Sequence, residues 1–192
     1  MTREEIIQIF EKTSAMLSGH FRLTSGKHSN RYFQCAQVLQ YPQHTEKLCR
    51  ELAGRFAGLG VETVIGPAMG GILVSHEVAR ALGVRSLFTE RENGSMALRR
   101  NFTIAPGEKV LVVEDVITTG GSVAEVIKVV RSLGGEVVGV GVLVDRSNGQ
   151  ADLGVRTEAL LSVTVETYEP EQCPLCAQGI PAVKPGSRAV EK

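Results

Sequence analysis

Long apolar runs, a surplus of either charge and a cysteine-rich framework are all missing from this 192-residue chain. Each absence removes a class of function. No apolar stretch approaches the roughly 20 residues that a membrane-spanning helix needs. The start Met1-Thr2-Arg3-Glu4-Glu5 lacks the basic-then-apolar pattern of a secretory signal, so the expectation is a soluble, cytoplasmic protein with no membrane partner. Twenty-one Lys and Arg balance 21 Asp and Glu, so the overall field gives no reason to expect nucleic acid as a partner. Four cysteines in a chain of this size do not suggest a disulfide scaffold. Cys173-Pro174-Leu175-Cys176 has the spacing of a zinc knuckle or a redox pair, yet no second CxxC and no His-x₃-His lies near it in sequence. Reduced thiols in a C-terminal turn are the plainer reading. A metal site would need Cys35, Cys49 or a second subunit to complete it. Internal repeats and low-complexity segments are also missing, and the length fits one domain with a sizeable core.

What is present is an alternation of strands and helices. Thr2 with Glu5 forms a capping box that opens a helix burying Ile6, Ile9, Phe10 and Leu17, ended by Gly19. Short strands are expected at 21–24 and 31–35, around the turn Ser25-Gly26-Lys27-His28, and Pro42 begins a second helix with Leu48, Leu52, Phe56 and Leu59 on one face. Strands follow at 61–65, 84–88, 110–113, 137–144 and 159–165, with helices through Leu82 and at 123–133. The strands are near-continuous Val/Leu/Ile runs, as in a parallel sheet covered by helices on both faces. Ligands in such sheets bind beyond the carboxyl ends of the strands.

The most telling segment lies at one such end. The apolar run Val110-Leu111-Val112-Val113 stops in Glu114-Asp115, then Val116-Ile117 leads into Thr118-Thr119-Gly120-Gly121-Ser122 and an amphipathic helix. A phosphate monoester is well held where backbone N–H groups converge at a helix N-terminus and hydroxyls add donors. Gly120 and Gly121 permit close backbone approach, and Thr118, Thr119 and Ser122 carry the hydroxyls. The two acids can accept hydrogen bonds from vicinal sugar hydroxyls. A ligand with both ribose and phosphate is implied. The segment is not a P-loop, because it lacks a Gly-Lys-Ser/Thr ending and its acids come first.

Residues 114–122 resemble the phosphoribosyl-pyrophosphate (PRPP) signature of type I phosphoribosyltransferases. The resemblance extends through most of the chain and is best with the orotate phosphoribosyltransferase family. The stretch from Ser18 to Ser29 with Tyr32-Phe33 is similar to that family's N-terminal hood, Gly66-Pro67-Ala68-Met69-Gly70-Gly71 to its pyrophosphate loop, and Val144-Asp145-Arg146 to the strand end that bears its orotate-side arginine. Chemically this suits a planar, anionic pyrimidine: Tyr32 and Phe33 as a lid, Arg146 as a forked carboxylate partner, and Thr118 beside the base. Two places depart from the family pattern. Thr24 and Gly70 stand where many members carry lysine; Lys27, His28, Arg22 and Arg31 are the nearby cations at the first.

The resemblance implies a type I phosphoribosyltransferase fold in a single domain over 1–192: a hood from 1–40 with part of the tail, a core over 41–165, and a tail over 166–192. It also implies transfer of ribose 5-phosphate from PRPP to orotate N1. Mg²⁺ is the expected cofactor, held mainly by substrate oxygens and waters rather than by protein ligands. The polar stretch 90–100 sits where the family has a mobile loop that closes over PRPP, often on a neighbouring subunit; Arg91 and Arg100, with Asp115, are the expected catalytic groups and a homodimer the expected assembly. Two other readings share the 114–122 motif. A purine or uracil phosphoribosyltransferase would not need Arg146, and a PRPP-sensing regulator would be expected to carry a nucleic-acid-binding module or a basic face.

Overall fold

The computed structural model describes residues 1–23 and 25–185. Thr24, one of the two departures from the family pattern, lies outside the described residues. The centre is a six-stranded sheet. Its strands are β3 (Thr63–Pro67), β4 (Arg85–Glu92), β5 (Ser95–Leu98), β6 (Lys109–Ile117), β7 (Glu136–Asp145) and β8 (Thr157–Ser162), in the order β5-β4-β3-β6-β7-β8. All neighbours are parallel except the β4–β5 pair.

The period-two alternation of β6 builds both halves of the core. Leu111 and Val113 face the cluster that contains Leu48, Leu52, Val74 and Val78 from helices α3 (Pro42–Gly54) and α4 (Gly70–Leu82). Val110 and Val112 face the cluster with Val123, Val126, Ile127 and Val130 of α5 (Gly121–Ser132). Both faces are therefore covered, which is why the strand reads as an unbroken apolar run. The first helix, α1 (Arg3–Lys12), opens with the Thr2/Glu5 capping box and packs its Ile6, Ile9 and Phe10 into the α3–α4 side of the core. A short α2 (Ala36–Leu39) precedes α3.

A second, three-stranded antiparallel sheet is made of β1 (Met16–Arg22), β2 (His28–Phe33) and β9 (Thr167–Tyr168), in the order β1-β2-β9. A 3₁₀ turn (Pro170–Gln172) and a short α6 (Pro174–Ala177) follow β9, and Val183 returns to bridge Phe21. No helix among the described residues is long and apolar enough to cross a membrane.

Three expectations need correction. The first helix ends at Lys12, not at Gly19: Ser14 turns the chain with φ 56°, and Leu17 belongs to β1. The strand at 110–113 does not stop at the acids but continues through them to Ile117. The polar stretch 90–100 is no irregular loop, because Glu92 pairs with Ser95 across a two-residue turn at Asn93 (φ 51°) and Gly94 (φ 86°). Asn-Gly with both residues at positive φ is the favoured hairpin turn, whose twist matches that of the strands.

Candidate active site

The carboxyl end of β6 organises the site. Glu114 and Asp115 occupy the last turns of a strand flanked on both sides, and this burial sets their chemistry. Glu114 is only 8% exposed. Loss of solvent raises its pKa well above the carboxylate range, and the adjacent Asp115 charge raises it further. Asp115 is raised too, chiefly by burial. Each acid uses one oxygen locally: Asp115 N–H donates to Glu114 Oε1 (3.1 Å), and Val116 N–H donates to Asp115 Oδ1 (2.8 Å). No basic side chain is among the groups acting on either carboxylate. A crowded acid pair with no cation acting on it forms a site that gains from a ligand bringing hydroxyl donors or positive charge.

Immediately beyond, a hollow is lined by Glu114 and residues 116–123. Gly120 sits at the N-cap of α5 with φ 77°, a left-handed conformation that glycine adopts at little cost. The N-cap glycine offers no capping side chain, and the first-turn residues Gly121 to Val123 line the hollow. Thr118 and Thr119 are exposed at the rim, and Thr119 Oγ1 accepts weakly from Gly121 N–H (3.4 Å). Donors of this kind around a concavity make a cradle for a phosphate dianion.

Two further elements close on the acids. At the end of β3 the chain passes through a cis Ala68–Met69 peptide into α4, exposing Met69 (84%) at the loop tip. The next residue approaches β6 so closely that a Cβ on Gly70 would lie 2.5 Å from the Asp115 carboxylate. A side chain at this position would meet the acid, so the close packing of this loop on β6 depends on glycine. From the other side, Arg146 N–H donates to Ile117 O (2.9 Å), which fixes Arg146 beside the cradle at the end of β7. Its guanidinium lies 5.6 Å from the centre of the Phe33 ring. Its Nε is buried with no hydrogen-bond partner, and burial lowers its pKa. Cys35 links the hood connection to the same point through a weak contact of its thiol with Asp115 O (3.7 Å).

The site thus gathers Glu114, Asp115, residues 116–122, Gly70, Arg146 and Phe33. Phe33 is not a lid: it is buried in the core cluster and backs the Arg146 guanidinium. Tyr32, on the other face of β2, stays half-buried, packs against Phe21 with ring centres 5.8 Å apart and donates its hydroxyl to Gln34 Oε1 (3.1 Å). Arg91 and Arg100 are not brought to the acids. Arg91 donates to Gly94 O and pairs with Glu125 on α5, while Arg100 makes a two-pronged pair with Glu90 at 2.8 Å. Of the cations near Thr24, Lys27 pairs with Glu169 (2.8 Å) and His28 is buried away from solvent. Sequence reasoning missed the Gly70–Asp115 approach, since nothing local to either residue signals it.

Comparison with known proteins extends this geometry. A phosphoribosyl transferase domain model matches residues 36–154. An orotate phosphoribosyltransferase of Desulforamulus reducens is 82% identical over 190 residues, covering 99% of this chain and 100% of that one. The chain belongs to the orotate phosphoribosyltransferase family. A second member, from Pelotomaculum thermopropionicum, is 74% identical over 190 residues, with 99% and 100% of the two chains covered. The crystal structure of orotate phosphoribosyltransferase from Aeropyrum pernix superposes with a TM-score of 0.69 at 30% identity, over 82% of this chain and 93% of that one. The family fold is thus a mostly parallel sheet between helices.

Proposed function

We propose that the chain transfers ribose 5-phosphate from PRPP to N1 of orotate, releasing pyrophosphate and orotidine 5′-monophosphate for pyrimidine synthesis in the cytoplasm. The observation that carries the acceptor assignment is Arg146, a partly buried guanidinium with an unpartnered Nε beside the acids and the cradle. A buried cation without an anion is costly, and a planar carboxylate completes it with two parallel hydrogen bonds.

The roles of the chain's residues follow from charge and reach. The cradle at 118–122 binds the 5-phosphate, and Glu114 and Asp115 hold the ribose hydroxyls. Both acids then lie near the positive charge that develops on the ring as the anomeric bond to pyrophosphate lengthens. Arg146 with Thr118 orients orotate so that its ring nitrogen faces the anomeric carbon, and no nucleophilic side chain is required. Mg²⁺ would be held mainly by PRPP oxygens and waters, with the acid pair adding negative charge beside it. Bound with PRPP, Mg²⁺ would supply charge neutralisation for the departing pyrophosphate.

Arg91 and Arg100 belong to a hairpin whose cations are satisfied by their own glutamates in the free chain. We assign them to the pyrophosphate of a neighbouring copy in a homodimer, where exchange of exposed ion pairs for a polyphosphate costs little. The test is a spectrophotometric assay of orotate loss with PRPP, run with Mg²⁺ and with a chelator, and with adenine, hypoxanthine and uracil as alternative acceptors. Mg²⁺-dependent loss of orotate alone is expected. Turnover of another base would discard the acceptor assignment and retain the PRPP site; equal rates in chelator would discard the Mg²⁺ requirement.

A further inference from the structure

Outside the catalytic edge, four metal-binding side chains meet in the small sheet. His20 comes from β1, His28 from β2, and Cys173 and Cys176 flank the start of α6; one ligand atom of each lies within 4.8 Å of all the others. We propose that these four residues bind a structural zinc ion that fastens the C-terminal tail to the hood.

The local folding brings the ligands to one point. Cys173 is the N-cap of α6, and Ala177 N–H donates to Cys173 O, so the helical turn sets Cys176 above Cys173. His28 pairs with Arg22 across the hairpin, and the register shifts between Ser18 and Phe21, at His20. Such an irregularity re-aims a side chain, here toward its cross-strand neighbour. His20 Nε2 lies 2.8 Å from His28 Nδ1, 3.4 Å from Cys173 Sγ and 3.8 Å from Cys176 Sγ, and Cys176 Sγ lies 3.2 Å from His28 Nδ1. Tetrahedral zinc with bonds of about 2.0–2.1 Å to nitrogen and 2.3 Å to sulfur keeps its ligands roughly 3.3–3.8 Å apart, so the cluster closes around one ion with shifts of up to about an ångström.

Three further observations favour the metal over a simple packing of thiols and rings. The other ring nitrogen of His20, Nδ1, lies 2.6 Å from Ile180 O. As a donor there it fixes the tautomer that leaves Nε2 free for a metal, the usual outer-sphere arrangement of a ligating histidine. His20, His28 and Cys173 are buried, at 4%, 7% and 2% exposure, whereas Cys176 is exposed, so the cluster is shielded yet reachable by an ion. Two thiolates and two imidazoles with no fifth position make a closed, tetrahedral set that suits zinc and a structural role.

The tail also needs fastening. β9 contributes only two residues to the sheet, and the rest of the tail is held by Ser29 Oγ donating to Glu166 O (2.8 Å), the Lys27–Glu169 pair and the Val183 backbone bonds to His20 and Arg22. A two-residue strand gives the tail little pairing of its own, and metal staples are a common remedy for such weakly held segments. Neither Cys35 nor Cys49 takes part: both are buried in the main core cluster. The sequence spacing could not reveal the site, because the two histidines stand far upstream of the CxxC.

The protein should be produced without a histidine tag, kept reduced and analysed for metals by plasma mass spectrometry. About one zinc per chain is expected. Cobalt exchanged into the metal-free protein should give the visible bands of tetrahedral Co²⁺ and a near-ultraviolet thiolate charge-transfer band. Cys176→Ser, at the exposed ligand, should lose the zinc and expose the tail to protease before the core. Cys49→Ala should keep the zinc. Wild-type protein that stays metal-free in the presence of zinc, an octahedral cobalt spectrum, or undiminished zinc in Cys176→Ser would each overturn the proposal. The readouts are independent of turnover, so they stand whatever base the enzyme uses.

Discussion

The proposed donor and acceptor sides of this site are built in opposite ways. The phosphate cradle and the acid pair come from one uninterrupted segment, the end of β6 and the start of α5. The acceptor side is assembled from separate places: Arg146 after β7, Phe33 from β2, and a hood whose third strand is contributed by the tail. The phosphoribosyl transferase domain match, over residues 36–154, takes in the cradle and Arg146 but leaves out β1, β2 and β9. The lesson is that a shared donor can be held by a short local motif, whereas base recognition depends on long-range packing.

The largest expected effect tests the donor side alone. Asp115→Asn should lower kcat by about 10²–10³-fold, the usual range for removing a charge that stabilises a transition state, with the protein still folded by circular dichroism. A milder loss would leave ribose positioning to other groups. On the acceptor side, Arg146→Gln should raise KM for orotate by roughly 10–100-fold while KM for PRPP stays within about a factor of three, as expected for a lost charged hydrogen bond. Equal rises in both constants would erase the division between the two sides. Gly70→Ala joins them. Its Cβ would meet the Asp115 carboxylate at 2.5 Å and should cost about 10-fold in kcat through misplacement of the acid.

A smaller effect concerns stability and has a definite sign. Glu114 has a raised pKa in the folded chain. Folding is therefore assisted below its ordinary carboxylate value, and this assistance is lost as pH rises through the raised one. In the absence of ligand, Glu114→Gln should melt higher than the wild type at pH 8 and match it near pH 4.5, read by calorimetry. A lower melting point at pH 8 would mean that the acid pair is stabilised by a cation. The smallest stability change belongs to the hairpin: Arg100→Ala should leave the melting temperature essentially unchanged, because its pair with Glu90 is exposed. The same variant sharpens the assembly question. Mixed with Asp115→Asn it should recover activity if the hairpin serves a neighbouring copy, and recover none if it serves its own site.

What the sequence made legible follows the same division. The acid pair, the cradle and the alternation of strands and helices are local patterns, and the structure keeps them with small boundary shifts. The hairpin was also written locally, in Asn93-Gly94, but the charged residues around it masked the strand pattern. Leu17 matched the helical period of α1 and still went into β1, because Ser14 breaks the helix first. Phe33 read as a lid because its aromatic ring sits next to Tyr32, yet strand alternation sends the two to opposite faces and only Phe33 into the core. The approach of Gly70 to Asp115 and the meeting of His20 with Cys176 arise between residues far apart in the chain, where no spacing rule applies.

The two-residue strand β9 has a consequence for biosynthesis. The edge of β2 has no partner until Thr167 and Tyr168 are made, long after the β1–β2 hairpin itself. The central sheet also waits for its last strand, β8, which ends at Ser162 just before β9. The open edge of the hairpin therefore stays unpaired through nearly the whole synthesis of the central sheet. Arrested chains should show it: protease resistance in the β1–β2 hairpin should appear only after β9 clears the exit tunnel.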